Sequence, residues 1–425
     1  MPRQFNDMGL DVLTAVEVGS SKISCFVVQT GNLYTGKRDD NARVIGIGHH
    51  LSPGVKGGSI IDMKATESAI RASVEAAERM AKVTVHDVVV NVSCGRPRSE
   101  LIRVRTPVRG QIGGSDIKEV LNEVRTYQSA PDRTVIHTVP CDFVVGGCGG
   151  IRDPRGMVAA ELAGTVHVVS VESAALSNLI ACVERCHLEV FGLTLSSYAS
   201  GLSCLTDDEK ELGVICVDLG GGTTSLGIFY GGAFVHCDII PVGGSHITND
   251  IAYGLSTTIT HAERIKVLYG CVLTDVDDNR DIVDFLTVSD EQEGDAERIP
   301  RSVLTGIIRP RVKEILEIVR DRIKTSGFSH LTSKQIVLTG GGSQLLGLRN
   351  LATQILGCQV RIGRPMGVEG LADATEGPAF SACVGLLSYA RQVGGYSDSI
   401  SAFGYPSAGL RGQFAHISQW LKENF

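Results

Sequence analysis

Two short stretches of the chain join an acid to a glycine turn. In the first, Glu17 precedes Val18, Gly19, Ser20, Ser21 and Lys22; in the second, Asp218 precedes Leu219, Gly220, Gly221, Gly222, Thr223 and Thr224. An apolar strand that ends in a carboxylate and a glycine turn places backbone N–H groups around an anion, and the acid can hold magnesium through water. That is the chemistry of a nucleotide phosphate. Gly340, Gly341 and Gly342 form a third turn, where a purine or ribose can lie against peptide with no Cβ in the way. Either acidic turn alone is equally an ordinary hairpin, so the argument rests on the three together. Neither is a P-loop, because G-x-x-x-x-G-K-[ST] is missing, and each leads into a strand, where a Rossmann turn would open a helix. Glu263 and Lys266 share one helix face at i, i+3, which by itself makes a surface ion pair.

The elements around these turns repeat. The runs at 13–21 and 214–224 follow one template of apolar strand, carboxylate, glycine turn, hydroxyls and second strand, so the halves read as duplicated. Residues 63–82 bury one helix face, with apolar residues at Ala65, Ala69, Ile70, Val74, Ala77 and Met80. Residues 83–166 read as a separate small α/β unit of alternating strands and a helix over 115–127 capped by Ser115. Four acids at 206–211 mark a solvated linker, helices are expected over 245–254, 261–269 and 308–326, and 275–301 reads as an exposed strand-and-loop region. A strand at 334–338 is followed by a helix through 356, and a further helix spans 378–390.

Composition sets outer limits. The 425 residues are 43% hydrophobic and 20% charged, which suits several buried cores and argues against disorder. A net charge of −7 is the wrong sign for broad nucleic-acid binding, so no nucleic-acid partner is expected. The 50 glycines, about 12% against a usual 7%, gather at the ends of apolar runs. Twelve cysteines without C-x-x-C pairs read as free thiols. Residues 1–10 lack a signal-peptide core and no run is long and apolar enough to span a bilayer, so a cytoplasmic protein is expected.

The ordered set AVEVGSSKI, VICVDLGGGTTSLGIFY, PVGGSHITNDIA, AERIK and IVLTGGGSQLLGL resembles the actin-like ATPase superfamily. With GIRDPRGM at 150–157, QVRIGRP at 359–365 and the terminal helix, it resembles the FtsA family of bacterial cell-division proteins over essentially the whole chain. The resemblance implies an α/β, duplicated actin-like (ribonuclease-H-like) two-domain fold with an inserted small α/β subdomain. The first core would take 10–82 and 167–205, the insert 83–166, and the second core 206–245 and 334–391. An outer subdomain would occupy 246–333, a flexible linker 392–411 and an amphipathic helix 412–425.

The resemblance further implies that ATP with Mg²⁺ lies between the halves. Gly19, Ser20, Ser21 and Lys22 would form the first phosphate turn and Asp218 to Thr224, including Gly220, Gly221, Gly222 and Thr223, the second. Gly243, Gly244, Glu263, Lys266 and Gly340 to Gly342 would surround ribose and base, with Asp218 and Glu17 the magnesium carboxylates. Glu17 stands where the superfamily usually has Asp, and Ser196 and Ser197 stand where hydrolysing relatives often offer a Glu beside the attacking water, so slow turnover at most is expected.

Phe414, Ile417, Trp420, Leu421 and Phe425 fall within an arc of about 140° at 100° per residue, behind a Gly/Ser-rich stretch, which reads as an in-plane membrane anchor. One short helix binds lipid weakly, so several tails on one polymer are needed for firm attachment. By resemblance the chain would assemble with itself on the cytoplasmic face of the cell membrane at the division septum. There it would hold the FtsZ C-terminal tail through the outer subdomain, with Arg301, Arg309 and Arg311 available to an acidic peptide, and help recruit later division proteins. A small-molecule kinase of the same superfamily would need a second-site acid motif that the sequence does not offer. An actin-like pilus-assembly adaptor fits the insert but leaves the terminal helix without a purpose.

Overall fold

The computed structural model describes residues 12–30, 42–126, 130–273, 281–287, 297–328, 335–371 and 375–394. Residues 395–425, with Phe414, Ile417, Trp420, Leu421, Phe425 and most of the expected linker, lie outside the described residues.

Strand β1 (Val12–Val18) turns through Gly19-Ser20-Ser21 and returns antiparallel as β2 (Lys22–Gln29), pairing Val18 with Ile23. A meander continues in β3 (Arg43–Leu51), followed by the short ladder β4 (Val55–Lys56) and β5 (Ser59–Ile60). Helix α1 (Met63–Ala81), opened by the Asp62 carboxylate accepting from the Ala65 N–H, buries Ala69, Ile70, Val74 and Ala77. It is the crossover that a parallel neighbour requires, and β6 (Asp87–Val92) duly pairs parallel to β1. Residues 85–92 therefore belong to the first sheet and not to the insert, contrary to the expected start at 83: β6 is almost wholly buried inside that sheet.

The insert proper comprises β7 (Arg98–Gln111), α2 (Gly114–Thr126), β8 (Arg133–Val145), β9 (Cys148–Ile151) and the long β10 (Val158–Glu172). Its four-stranded sheet, in the order β7-β10-β8-β9, is covered by α2 around a separate core that includes Ile117, Val120, Phe143 and Leu162. The end of β10 leaves that core, and Val169 and Val171 pack into the first half. Helix α3 (Ser173–Glu184) then leads to β11 (Glu189–Leu195), parallel to β6, completing the order β11-β6-β1-β2-β3.

Helix α4 (Ser196–Cys204) is buried along its length and links the halves. The acidic stretch after it is not a linker but a helix, α5 (Asp207–Leu212), because Thr206 and Glu209 form a reciprocal capping box. Arg361 then binds Glu209 through both oxygens, fixing the helix to the second half. The second template follows as β12 (Val214–Leu219), β13 (Thr224–Tyr230) and β14 (Ala233–Ile240).

An outer set packs on the second sheet: α6 (Gly244–Gly254), α7 (Ile259–Tyr269), the hairpin β15 (Ile282–Phe285) and β16 (Glu297–Pro300), and α8 (Arg301–Thr325). Helix α8 begins seven residues before the expected start and carries Pro310 within it; buried Leu304, Thr305 and Ile308 hold its first turns against the core. Strand β17 (Gln335–Thr339) ends in a short 3₁₀ turn, Gly341–Gln344, before α9 (Leu348–Leu356) and β18 (Gln359–Ile362). Helix α10 (Ser381–Gly394) closes the described chain. The order β14-β13-β12-β17-β18 repeats that of the first sheet strand for strand, with β12 for β1, β13 for β2 and β17 for β6. Among the described residues no helix is long and apolar enough to cross a membrane.

The insert rests on both halves through an aromatic seam. His137 of β8 meets Tyr198 of α4, Phe234 of β14 and Tyr389 of α10 edge-on, at centroid distances of 5.4, 6.5 and 6.4 Å. Its Nε2 accepts from the Leu195 N–H at 3.0 Å, which sets the tautomer with the proton on Nδ1. Ser99 of β7 contacts His167 of β10 and His236 of β14, at 2.7 and 3.2 Å. Farther out, Arg152 pairs with Glu211 and donates to the Gly231 carbonyl.

Candidate nucleotide site

The two glycine turns are built alike. Gly19 N–H donates to the Lys22 carbonyl at 3.0 Å, and Gly220 N–H donates to the Thr223 carbonyl at 2.9 Å, so each closes at the same offset. They also face each other: a Cβ on Gly221 would lie 2.8 Å from Ser21 Cβ, and one on Gly222 would collide with Ser20. Only glycine permits that approach. Ser20 is held by the Gly58 N–H and the Ser21 carbonyl by the Ser52 N–H. The amides of Ser20, Ser21 and Gly221 are engaged by no described residue, and all three residues line the space between the halves. Unspent donors converging on one cavity make a cradle for an anion.

That cavity has a volume of about 480 Å³. Glu17, Gly19, Ser20, Ser21, Lys22, Asp218, Gly220, Gly221, Thr223, Gly244, Glu263, Lys266 and Gly340 to Gly342 all line it. Three expected residues stand behind the wall. Gly222 packs on Ser20, Gly243 lies against the carbonyls of Gly220 and Gly221, and buried Thr224 donates its hydroxyl to the Val242 carbonyl. The start of α6 is spent in the same way: Gly244 and Ser245 N–H donate to the Gly220 and Gly221 carbonyls, so they brace the second turn. Gly340, at φ +81°, touches Asp218 where any side chain would overlap its carboxyl.

Charge is concentrated at the floor. Lys22 Nζ is buried, makes no hydrogen bond to any described residue and lies 3.2 Å from the centroid of the Phe380 ring. Burial holds its pKa below the usual lysine value, against the pull of Glu17. Glu17 Oε2 is equally unpartnered, and burial pushes the Glu17 carboxyl up to about 7, with Lys22 opposing and Asp218 reinforcing the shift. Asp218, also raised by burial, accepts from the Ser200 hydroxyl at 2.5 Å. Both carboxyls sit deep in the protein yet open on the cavity, so a bound cation there is compensated on two sides. The extra methylene of Glu17 leaves it on the cavity wall beside Asp218. Ser196 also lines the cavity, accepting from Asn91, whereas Ser197 is buried with its hydroxyl unpaired. Among the described residues the lining carboxylates are Glu17, Asp218 and Glu263.

Phe380, Asn91, Ser200 and Thr248 were not legible as site residues. Thr248 alone had a signal, lying one helical turn after Gly244 on the cavity side of α6. Arg311, expected on a free basic face, is a strut instead: it grips both oxygens of Asp250 at 2.6 and 3.0 Å and also pairs with Glu314. Arg301 pairs with Asp281 at 3.5 Å, and Arg309 is half-buried.

Two five-stranded halves of identical strand order, with opposed turns between them and a small α/β insert, define a protein of the actin-like ATPase fold. Solved structures agree. A chain of the PilM–PilN type IV pilus biogenesis complex superposes with a TM-score of 0.62 at 18% identity, covering 89% of this chain and 98% of that one. MreB5 of Spiroplasma citri bound to ADP superposes at 0.53 and 12% identity, covering 90% and 97%. Sequence comparison narrows the class. A family model described as cell division protein FtsA matches residues 215–385, and one described as the SHS2 domain inserted in FtsA matches 95–170. Cell division protein FtsA of Rhizobium meliloti is 42% identical over 420 residues, covering 97% of this chain and 95% of that protein. The FtsA proteins of Pseudomonas aeruginosa and Escherichia coli K12 are 34% and 28% identical, each with 97% of this chain and 98% of its own length covered. The chain belongs to the FtsA family of cell-division proteins.

Proposed function

We propose that the chain is a nucleotide-dependent division scaffold. It binds ATP with Mg²⁺ between its halves, assembles with itself on the cytoplasmic face of the cell membrane at the septum, and holds the FtsZ ring there. The observation that carries this reading is the pair of opposed turns, whose free amides and unpartnered Lys22 ammonium converge on one cavity. Gly19 to Lys22 and Gly220 to Thr223 would hold the phosphates, Glu17 and Asp218 the hydrated magnesium, and Glu263 with Gly340 to Gly342 the nucleoside. Magnesium would supply positive charge against the phosphate oxygens and the two carboxylates. Lys22 is a compact point charge suited to the same oxygens. Among the described residues no fourth carboxylate lines the cavity to orient an attacking water, which favours slow turnover and a conformational use of the nucleotide. MreB5 of Spiroplasma citri, with the same fold, was solved with ADP.

Membrane attachment falls to the terminal residues Phe414, Ile417, Trp420, Leu421 and Phe425, and the FtsZ tail to the outer subdomain near Arg301 and Arg309, with later division proteins recruited to the assembled scaffold. Calorimetry with Mg-ATP tests the core of the reading: saturable heat is expected, and none would remove it. Sedimentation with liposomes tests the tail, since the full chain should pellet while a chain ending at Gly412, or Trp420→Glu, stays in solution.

A further inference from the structure

The nucleoside end of the cavity carries one acid and one base, Glu263 and Lys266, but their hydrogen bonds are unequally spent. Lys266 Nζ donates to the Gly244 carbonyl at 3.2 Å, to Thr248 Oγ1 at 2.8 Å and to Glu263 Oε2 at 2.7 Å. An ammonium has three N–H groups, and all three are used inside the protein. Thr248, buried on α6, closes the circuit: its hydroxyl accepts from Lys266, and its one proton has two acceptors in reach, Glu263 Oε2 at 2.5 Å and the Gly244 carbonyl at 3.1 Å, of which the nearer, charged oxygen is the stronger. Glu263 Oε1 has no described partner, and the Glu263 side chain is half exposed to the cavity.

Accepting the nucleotide reading of the cavity, we infer that Thr248 is the positioning residue that makes this site selective for ribonucleotides over deoxyribonucleotides. The surface left to a ligand is a carboxylate oxygen, which can only accept. It therefore recognises a hydroxyl that donates, and a deoxyribose lacking that hydroxyl leaves it unmet. Lys266 is not a ligand contact on this geometry. It and Thr248 anchor Oε2, so that Oε1 is held in one direction and does not sweep the solvent. A site built to meet a hydroxyl rejects an analogue without one more strongly than an apolar pocket can.

The experiment is calorimetry on the full chain with Mg-ATP, Mg-2′-deoxy-ATP and Mg-3′-deoxy-ATP, comparing wild type, Thr248→Val, Thr248→Ser and Glu263→Gln, with melting temperatures to confirm folding. Wild type should prefer ATP over at least one deoxy form by about tenfold or more, the scale of one hydrogen bond to a charged group. Thr248→Val should reduce that preference to about threefold or less while binding of the disfavoured deoxy form changes little, and Thr248→Ser should restore it. Glu263→Gln, on the exposed side of α7, should abolish the preference even if Thr248→Val folds poorly. The inference is overturned if Thr248→Val keeps the wild-type ratio, if it weakens all three nucleotides equally, or if wild type binds them alike. Absence of any binding by wild type would instead remove the nucleotide reading, and this inference with it.

Discussion

Two of the places where the halves of the molecule meet have opposite chemistry. In the cleft, polar groups are left over: the Lys22 ammonium, Glu17 Oε2 and the amides of Ser20, Ser21 and Gly221. At the seam under the insert, polar groups are buried without charge: His137 and His167 lie among Tyr198, Phe234 and Tyr389, and burial lowers both imidazole pKa values to about 3. The cleft thus keeps unmet electrostatic demand for a ligand to satisfy. At the seam the groups left unpaired among the described residues are neutral ring nitrogens, Nδ1 of His137 and of His167, and packing holds the pieces together.

The largest effect expected from this contrast is on acid stability. Above pH 6.5 both histidines are neutral in folded and unfolded chain, and they contribute no pH dependence. Below it the unfolded chain takes up protons that the folded seam refuses until near pH 3, so each histidine removes about 1.4 kcal/mol per pH unit over that window. Denaturation midpoints between pH 7.5 and 5 should fall accordingly, and His167→Asn should lessen the slope. A folded-state imidazole titrating near 6.5 by NMR would erase the distinction between the two junctions. Next in size is Gly221→Val, whose side chain would press on Ser21 and spread the turns; Mg-ATP affinity should fall at least about a hundredfold in calorimetry while the seam and the melting temperature hold. Smallest is Lys22→Met, which removes one charge from the floor and should weaken Mg-ATP about tenfold, on the scale of one charge-assisted hydrogen bond.

Much of the architecture was legible because the duplicated turns are local: a carboxylate, a glycine and a return strand within ten residues fix the hairpins on which both sheets grow. The periodicity of α1 was equally plain. What misled was partnership at long range. Residues 85–92 alternate like any strand, and only their parallel pairing with β1 and β11 assigns them to the first sheet. The acids at 206–211 suggested solvent, yet Thr206 and Glu209 spend themselves on each other's backbone and Arg361, from 152 residues away, takes the remaining charge. Within the site, side chains were readable when they lay in a turn. Phe380 and Ser200 were not, since each reaches the floor from a distant helix or 3₁₀ turn.

Helix α10 crosses α4 at Gly385, where a side chain would collide with the Ala199 backbone. Ala199 is the neighbour of Ser200, the residue that holds Asp218. A displacement of α10 along its axis would therefore press on α4 within one residue of the group that holds a cleft carboxylate. A single glycine is thus the bearing between the last described helix and the wall of the cleft.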